Sequence, residues 1–443
     1  MPNGSMSALL HRLGGHEARA RRSLNFTPSE NVLSPLARVP LVTDSYSRYF
    51  FNHQELFGEW MFFGGLEAGL IEPEILRPLL QEMTGARYVD VRPISGLNCM
   101  TIAMAGLCPN GGTMFTVPES GGGHMSTTHV AARLGIRTVP LPMRDTHGLD
   151  LEALERDLAR HHPDLIYLDQ STQLFPIDPR PVRALIDATS PETVLHVDSS
   201  HTNGLILTGA MTNPLTAGAH TFGGSTHKTL PGPHKGFLAT NDERLRDRID
   251  AIAYHYVSHH HLGAVISLAI TLLELRDCGG EVYGASILEN ARQFAEHLSA
   301  QGIPVAAPDQ GFTRCHQVWA QTVDGVDAGS VAQRMHDSGI LVNRLGGLPG
   351  LEGPAFRLSL AEMTRLGATG DDMKELASLF ASFLSGGPVP DHHDRVRDLR
   401  RRLPGPAFCY GYEDLVEMGA PPGLLDLFSA VSRSVTHEGE PLR

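Results

Sequence analysis

The run Ser225-Thr226-His227-Lys228-Thr229-Leu230, followed by Pro231-Gly232-Pro233-His234-Lys235-Gly236, sets one lysine among small and hydroxyl-bearing residues ahead of a Gly/Pro loop. A lysine that attacks an aldehyde must first become neutral, and desolvation or nearby positive charge lowers its pKa to that end. Thirty residues earlier, Val197-Asp198-Ser199-Ser200-His201 closes an apolar run with an acid. A carboxylate at the carboxyl edge of an α/β sheet lies where such folds bind ligands. Paired with a pyridinium nitrogen, it keeps that nitrogen protonated and makes the ring an electron sink. Ser95-Gly96-Leu97 opens an apolar helical stretch, and the free N–H groups of a helix start cradle phosphate. Ser225 adds a hydroxyl from the lysine loop. Each signal alone has a plainer reading: a lysine in a surface turn, an aspartate capping the next helix, a Ser-Gly cap. Together they suit neighbouring elements whose ends converge on one ring, and they point to pyridoxal 5′-phosphate.

The elements that would position these groups read as alternating strand and helix. Short β-rich runs lie at Thr113–Val117, Arg137–Leu141, Asp164–Asp169, Val194–Asp198, Thr221–Gly223 and Gly236–Thr240. Helical patterns lie at 97–107, near 123–134, 151–161 and 181–188. That alternation predicts βαβ units and a mostly parallel sheet. After about 262 a long helical pattern runs toward 300. A smaller α/β unit follows, with strands near 314–319 and 355–359 and helices near 327–338 and 369–385. Gly386-Gly387-Pro388-Val389-Pro390 reads as a linker. The expected organisation is an N-terminal arm (1–50, with a helix near 6–22), a large cofactor domain (51–262), an interdomain helix with a small domain (263–388), and a charged extension (389–443) with a helix at Asp394–Arg402.

The 443 residues allow two or three cores. A net charge of −13 with no long basic run argues against a nucleic-acid partner. Five scattered cysteines without CxxC spacing fit a reducing cytoplasm. No run of 18 apolar residues suggests a membrane span, and the N-terminus does not read as a signal peptide. His259-His260-His261 invites a metal reading, but helical ligand pairs usually need i, i+4 spacing. No metal is expected. Lys235 is expected at the surface, as are His392 and His393.

Taken together these residues resemble serine hydroxymethyltransferase, a fold-type-I pyridoxal-phosphate enzyme of the aspartate aminotransferase superfamily, from about residue 24 to 385. Ser29-Glu30-Asn31 resembles the family's SEN motif, Thr43-Asp44-Ser45-Tyr46 its TNKY segment and Pro93-Ile94-Ser95-Gly96 its PHSG loop. Val197 to Leu205 resembles its VDMAHxAGL strand end, and Thr226 to Pro233 its THKTLxGP motif. Arg357, with Thr364-Arg365 and Gly367, resembles its carboxylate arginine and TRxG. The resemblance implies that Lys228 forms a Schiff base with the cofactor, Asp198 holds the ring nitrogen and His201 lies near the ring hydroxyl. It implies that Ser95, Gly96, Leu97, Ser225 and His227 complete the cofactor site. Arg357 and Ser29 would bind the amino acid carboxylate, a task suited to a guanidinium fork. Gly121-Gly122-Gly123-His124-Met125, read without gaps against HGGHLTHG, puts His124 on the ring-stacking histidine. A histidine in a flexible glycine loop is the plainer reading.

The departures bear on the reaction. Tyr46-Ser47-Arg48 puts Arg48 where the family's acid–base glutamate stands, and Phe62-Phe63-Gly64-Gly65 replaces YYGG. Glu55 or Glu59 could take over the lost carboxylate. Without it, folate-assisted one-carbon transfer lacks its proton shuttle, while the part that generates a glycyl carbanion is intact. The resemblance therefore implies an L-threonine transaldolase branch. Such an enzyme cleaves L-threonine or a similar β-hydroxy amino acid to a glycyl quinonoid and transfers it to an aldehyde, in natural-product biosynthesis. Tyr46 and Arg48 are expected at the substrate, and a homodimer with a shared site is implied. Folate-dependent serine hydroxymethyl transfer, amino acid racemisation and a non-catalytic partner of the same fold are the alternatives.

Overall fold

The structure, a computed structural model, describes residues 4–51, 53–388, 391–403 and 405–435. Val389 and Pro390 of the expected linker and residues 436–443 of the extension lie outside the described residues. A helix, Met6–Ala20, precedes the two-residue strand β1 (Leu24–Asn25). The large sheet then takes β2 (Tyr88–Asp90), β3 (Thr113–Thr116), β4 (Arg137–Pro140), β5 (Leu165–Asp169), β6 (Val194–Asp198), β7 (Thr221–Ser225) and β8 (Gly236–Thr240). Their order is β2-β8-β7-β6-β5-β3-β4. The pairs from β7 to β4 are parallel; β8 runs antiparallel to both β7 and β2. The fold is thus α/β with a mostly parallel sheet.

The helices between strands begin where polar side chains can satisfy free N–H groups. Asp150, Asp178 and Asp242 accept from the first turns of Leu151–His161, Pro179–Thr189 and Glu243–Tyr256. Ser95 does the same for Gly96–Leu107, its hydroxyl accepting from Asn98 N–H at 3.1 Å. Strand β5 is buried along its whole length, as a central parallel strand covered by helices on both faces must be. Its carboxyl end lies in register with that of β6, Asp169 opposite Asp198.

The long pattern from 262 is two helices, Leu262–Asp277 and Gly280–Ser299. The break falls at Gly279, whose φ of +84° favours glycine. The small domain carries β9 (Gln317–Ala320), β10 (Ile340–Leu341), β11 (Asn343–Leu345) and β12 (Ala355–Ser359). Strands β11, β12 and β9 form an antiparallel sheet, and β10 pairs with β1 of the arm.

Among its described residues the extension holds three helices, His392–Arg402, Tyr412–Glu417 and Pro422–Val435. Leu415 and Phe428 pack on Leu36 and Val39 of the arm. The carbonyls of Ala407 and Phe408 accept from the buried Arg365 guanidinium. His393 is exposed, and His392 lies edge-on to Phe383. No helix among the described residues is long and apolar enough to cross a membrane.

Candidate active site

The carboxyl ends of β5, β6 and β7 and the amino end of helix Gly96–Leu107 surround a cavity of about 250 Å³. Ser95, Gly96, Leu97, His124, Asp198, His201, Ser225, His227 and Lys228 all line it. Parallel strands deliver this convergence because their carboxyl ends share one edge. Two glycines make room. A Cβ on Gly96 would stand 2.9 Å from Ser225 Cβ, and one on Gly224 would stand 2.3 Å from Ser200 Oγ and 2.9 Å from Asp198 Oδ1.

Asp198 is held from two sides. Tyr167 O–H donates to its Oδ2 at 2.8 Å and Ser200 N–H to its Oδ1 at 3.0 Å. Lys228 has no ion pair among the described residues, and burial pushes its amine down to about 8. Asp198 opposes that shift and Arg357 adds to it. The result is an amine neutral enough to be nucleophilic near neutral pH. Asn31 of the arm donates to the Lys228 carbonyl at 2.6 Å, tying the lysine loop to the SEN segment.

His124 is half-buried, and its backbone N–H donates to Asp169 Oδ2 at 3.2 Å. Burial, then Lys228, lowers its pKa. Asp169 also accepts from the Thr127 hydroxyl, and burial pushes its carboxyl up to about 7. His201 is buried, and desolvation, then Lys228, holds it well below the usual imidazole range.

Arg357 on β12 reaches toward the same edge from the small domain. Its Nε donates to Asn343 Oδ1 at 2.9 Å, and its Nη1 to Ser171 O at 3.0 Å and Thr172 Oγ1 at 3.2 Å. Nη2 is left without a protein partner among the described residues. Burial pushes the guanidinium down to about 10, so a carboxylate is the ligand that would repay its desolvation.

Ser29 and Tyr46 line a neighbouring cavity of about 610 Å³, which shares His227 with the first. His234 and His261 face it as well. Tyr46 is 64% exposed. Arg48 lines neither cavity and ion-pairs with Asp44 one turn away. Glu55 pairs with Arg77 in a third, separate cavity, and Glu59 is exposed. The three histidines diverge: His259 stacks on Tyr49, His260 bonds Glu72 at 2.9 Å, and only His261 faces the second cavity. Among the described residues no cluster of three His, Cys, Asp or Glu side chains is arranged to hold a metal ion. Lys235, expected at the surface, is fully buried, its Nζ donating to the His260 carbonyl at 3.0 Å. The Pro231–Lys235 turn folds inward against helix Leu262–Asp277, where a Cβ on Gly232 would contact Leu268 and Thr271, so its last side chain points into the protein.

Sequence reasoning missed Met100, Asp169, Gln170, Ser171 and Ser200 in the first cavity. Asp169 was findable, since it ends the apolar run Leu165–Leu168 just as Asp198 ends its own.

These residues fit pyridoxal phosphate on the structure's own terms. A depressed lysine without an ion pair, an anchored carboxylate and a glycine-opened helix start share one cavity, and among the described residues the buried His227 Nδ1 has no protein partner. The comparisons agree. The serine hydroxymethyltransferase family model matches residues 8–380. A Streptomyces L-threonine:uridine-5′-aldehyde transaldolase is 42% identical over 85% of this chain and 92% of its own. A Pyrobaculum islandicum serine hydroxymethyltransferase is 36% identical over 86% and 89%. The crystal structure of Pseudomonas fluorescens L-threonine transaldolase in its internal aldimine state superposes with a TM-score of 0.84 at 26% identity, over 96% of this chain and 97% of that one. The chain therefore belongs to the serine hydroxymethyltransferase family and is a fold-type-I, pyridoxal-phosphate-dependent enzyme.

Proposed function

We propose that this enzyme is an L-threonine transaldolase: it removes acetaldehyde from L-threonine and joins the remaining glycyl unit to a second aldehyde, giving a β-hydroxy-α-amino acid. The observation that carries the reading is the pairing of a complete carbanion-forming set with the loss of the one-carbon acid–base group. Lys228, Asp198 and Arg357 stand ready, while Arg48 is tied to Asp44 and Glu55 to Arg77. Two relatives at 42% and 40% identity carry transaldolase names, which supports it.

Lys228, Asp198, Ser95, Gly96, Leu97, Ser225, His227, His124 and His201 would hold the cofactor, which supplies an electron sink for the bond at Cα when bound. Asp198 would keep a proton on the ring nitrogen. Lys228, whose depressed pKa of about 8 leaves a usable share of free amine, would accept and return protons. Arg357 and Ser29 fix the substrate carboxylate and so choose which Cα bond is aligned with the ring. His124 would cover one ring face, and His201 would donate toward the ring hydroxyl. Tyr46 and Arg48 are proposed for substrate contact across a subunit boundary, which fits their exposure.

A homodimer is supported by exposed apolar residues, Leu97 at the cavity, Met125, Phe62 and Phe63 among them, and by the stripe Met6, Leu9, Leu10, Leu13 on the first helix. The free cysteines suit a cytoplasmic enzyme. The second cavity has room for a bulky acceptor. Uridine-5′-aldehyde, named for the relatives, is the first to try, and a role in natural-product biosynthesis follows from acceptors of that kind.

The test gives holoenzyme L-threonine, then L-serine with tetrahydrofolate. Free acetaldehyde and an absorbance band at about 490–500 nm, expected of a carbanion delocalised over this cofactor, support the proposal when folate has no effect. Folate-dependent turnover of serine would refute it.

A further inference from the structure

His201 touches the cofactor cavity with only part of its ring. Its Nδ1 faces inward, 3.1 Å from His316 Nε2 and 3.4 Å from Gln317 Nε2. The other nitrogen of His316, Nδ1, lies 2.8 Å from Ser359 Oγ, which accepts the Ala361 N–H at 3.1 Å. The two imidazole planes are within 21° of each other, and both rings are buried.

The hydrogens can be assigned from groups whose roles are fixed. Trp319 Nε1–H only donates, and it donates to Gln317 Oε1 at 3.2 Å. Ser171 O only accepts, and it accepts from Gln317 Nε2 at 3.0 Å. The Gln317 amide is therefore oriented, and its second N–H points at His201 Nδ1. An acceptor is required there. His316 Nε2 must then carry the other hydrogen shared with His201 Nδ1, which leaves His316 Nδ1 to accept from the Ser359 hydroxyl. The chain then runs Ala361 N–H to Ser359, Ser359 O–H to His316, His316 N–H to His201, with the one lone pair of His201 Nδ1 given mainly to the closer His316 and shared with the longer Gln317 contact. The opposite assignment faces an N–H against the Gln317 amide and leaves the Ser359 hydroxyl hydrogen without an acceptor among the described residues.

We infer that His316 is a positioning residue that fixes His201 as the neutral tautomer with its hydrogen on Nε2, so that His201 presents a permanent donor to the cofactor and never an acceptor. Burial agrees, since it pushes His316 down to about 3 and keeps both rings uncharged. Arg357 and Lys228 disfavour charge on either ring as well. A donor of fixed direction stabilises negative charge on the ring hydroxyl oxygen without reorganising during turnover. The inference rests on the cofactor occupying this cavity, as the proposed function does, but on no particular acceptor.

The test is ¹⁵N-histidine NMR of the holoenzyme, together with the pH titration of the cofactor's absorbance before any substrate is added. Wild type is expected to show His201 protonated on Nε2 alone. His316→Phe is expected to mix the tautomers, move the absorbance titration, and lower kcat about ten-fold or more with KM little changed. His316→Gln, which keeps a donor toward His201 and an acceptor toward Ser359, is expected to recover most of both. Ser359→Ala, at the far end of the chain, tests the same link if His316→Phe does not fold, with a shift in the same direction but smaller. His201 protonated on Nδ1 in wild type, or an unmoved titration in the variants that fold, overturns the inference. A failure to find aldehyde transfer bears only on the transaldolase reading.

Discussion

Two cavities of nearly equal size, about 250 and 260 Å³, share no lining residue, and both are lined by charge. In the larger, nearly every charge has a partner. Glu72 bonds His260, Arg92 bridges Asp90 at 2.6 Å and Asp250 at 2.5 Å, and Arg77 holds Glu55. In the smaller, Lys228 has no ion pair among the described residues and Asp169 is a buried carboxyl with only neutral donors, while Arg357, bonded to the carbonyl of Ser171, which lines it, keeps an open Nη2. Volume does not tell the two apart. What separates them is whether the charges are satisfied by the protein or left for something else. Unsatisfied charge costs stability and persists where a ligand completes it, whereas the paired cluster ties the histidine run to Glu72 and the end of β2 to helix Glu243–Tyr256.

The sharpest way to break this contrast is Glu72→Ala. It removes the carboxylate that faces His260, Arg77 and Lys235 in a buried place, leaving cations uncompensated. The expected loss is about 3–5 kcal/mol, read by chemical denaturation, with kcat/KM of the folded enzyme unchanged. A large change in kcat/KM with stability intact would mean that the paired cavity serves the reaction after all. Arg357→Ala tests the other side. Here the loss should appear in function, because the guanidinium already lacks a full set of protein partners. A charge-assisted hydrogen bond is worth about 1.5–3 kcal/mol, so kcat/KM for L-threonine should fall about ten- to a hundred-fold. Arg357→Lys should recover little, since an ammonium cannot reproduce the fork. Equal kcat/KM for wild type and Arg357→Ala would remove this residue from the substrate site.

The contrast also marks what the sequence could reveal. Strands β6 and β8 and helix Leu151–His161 are legible to the residue, because apolar runs end at polar turns. β2 was missed: it is short, edge-placed and half-exposed, and its antiparallel pairing leaves no periodic trace. The break at Gly279 was overlooked although Gly279-Gly280, between charged residues, is a turn signal in the sequence. Residues in motifs, Lys228 and Asp198 first, were found with the right neighbours. Their supports were not: Tyr167, His316 and Gln317 sit inside strands or at a strand's start, where a polar residue shows its purpose only when the facing element is known. Lys235 was misjudged for the same reason, as a lysine seven residues from another beside glycine and proline gives no sign of facing inward.

That pair of lysines supplies the finest test of the comparison. Burial pushes both amines down to about 8, opposed by Asp198 at Lys228 and by Glu72 and Asp90 at Lys235. Their folded pKa values lie below the unfolded value of about 10.4. Between about 8 and 10.4 the unfolded chain therefore binds more protons, and both lysines make the fold more stable as pH rises through that window and less stable as it falls. On stability the two act alike. Reactivity should divide them, because Lys235 is closed in and bonded to a carbonyl while Lys228 opens on a cavity. The rate at which apoenzyme captures a small aldehyde, trapped by borohydride and mapped by peptide mass, should rise with pH to a midpoint near 8 and mark Lys228. Only the neutral amine attacks, so acid must slow the capture. Lys235 should stay unmarked until the protein unfolds. Equal labelling of both in the native protein would mean that the lysines differ in neither charge nor access, and the distinction between a satisfied cavity and a waiting one would fail where the two are most alike.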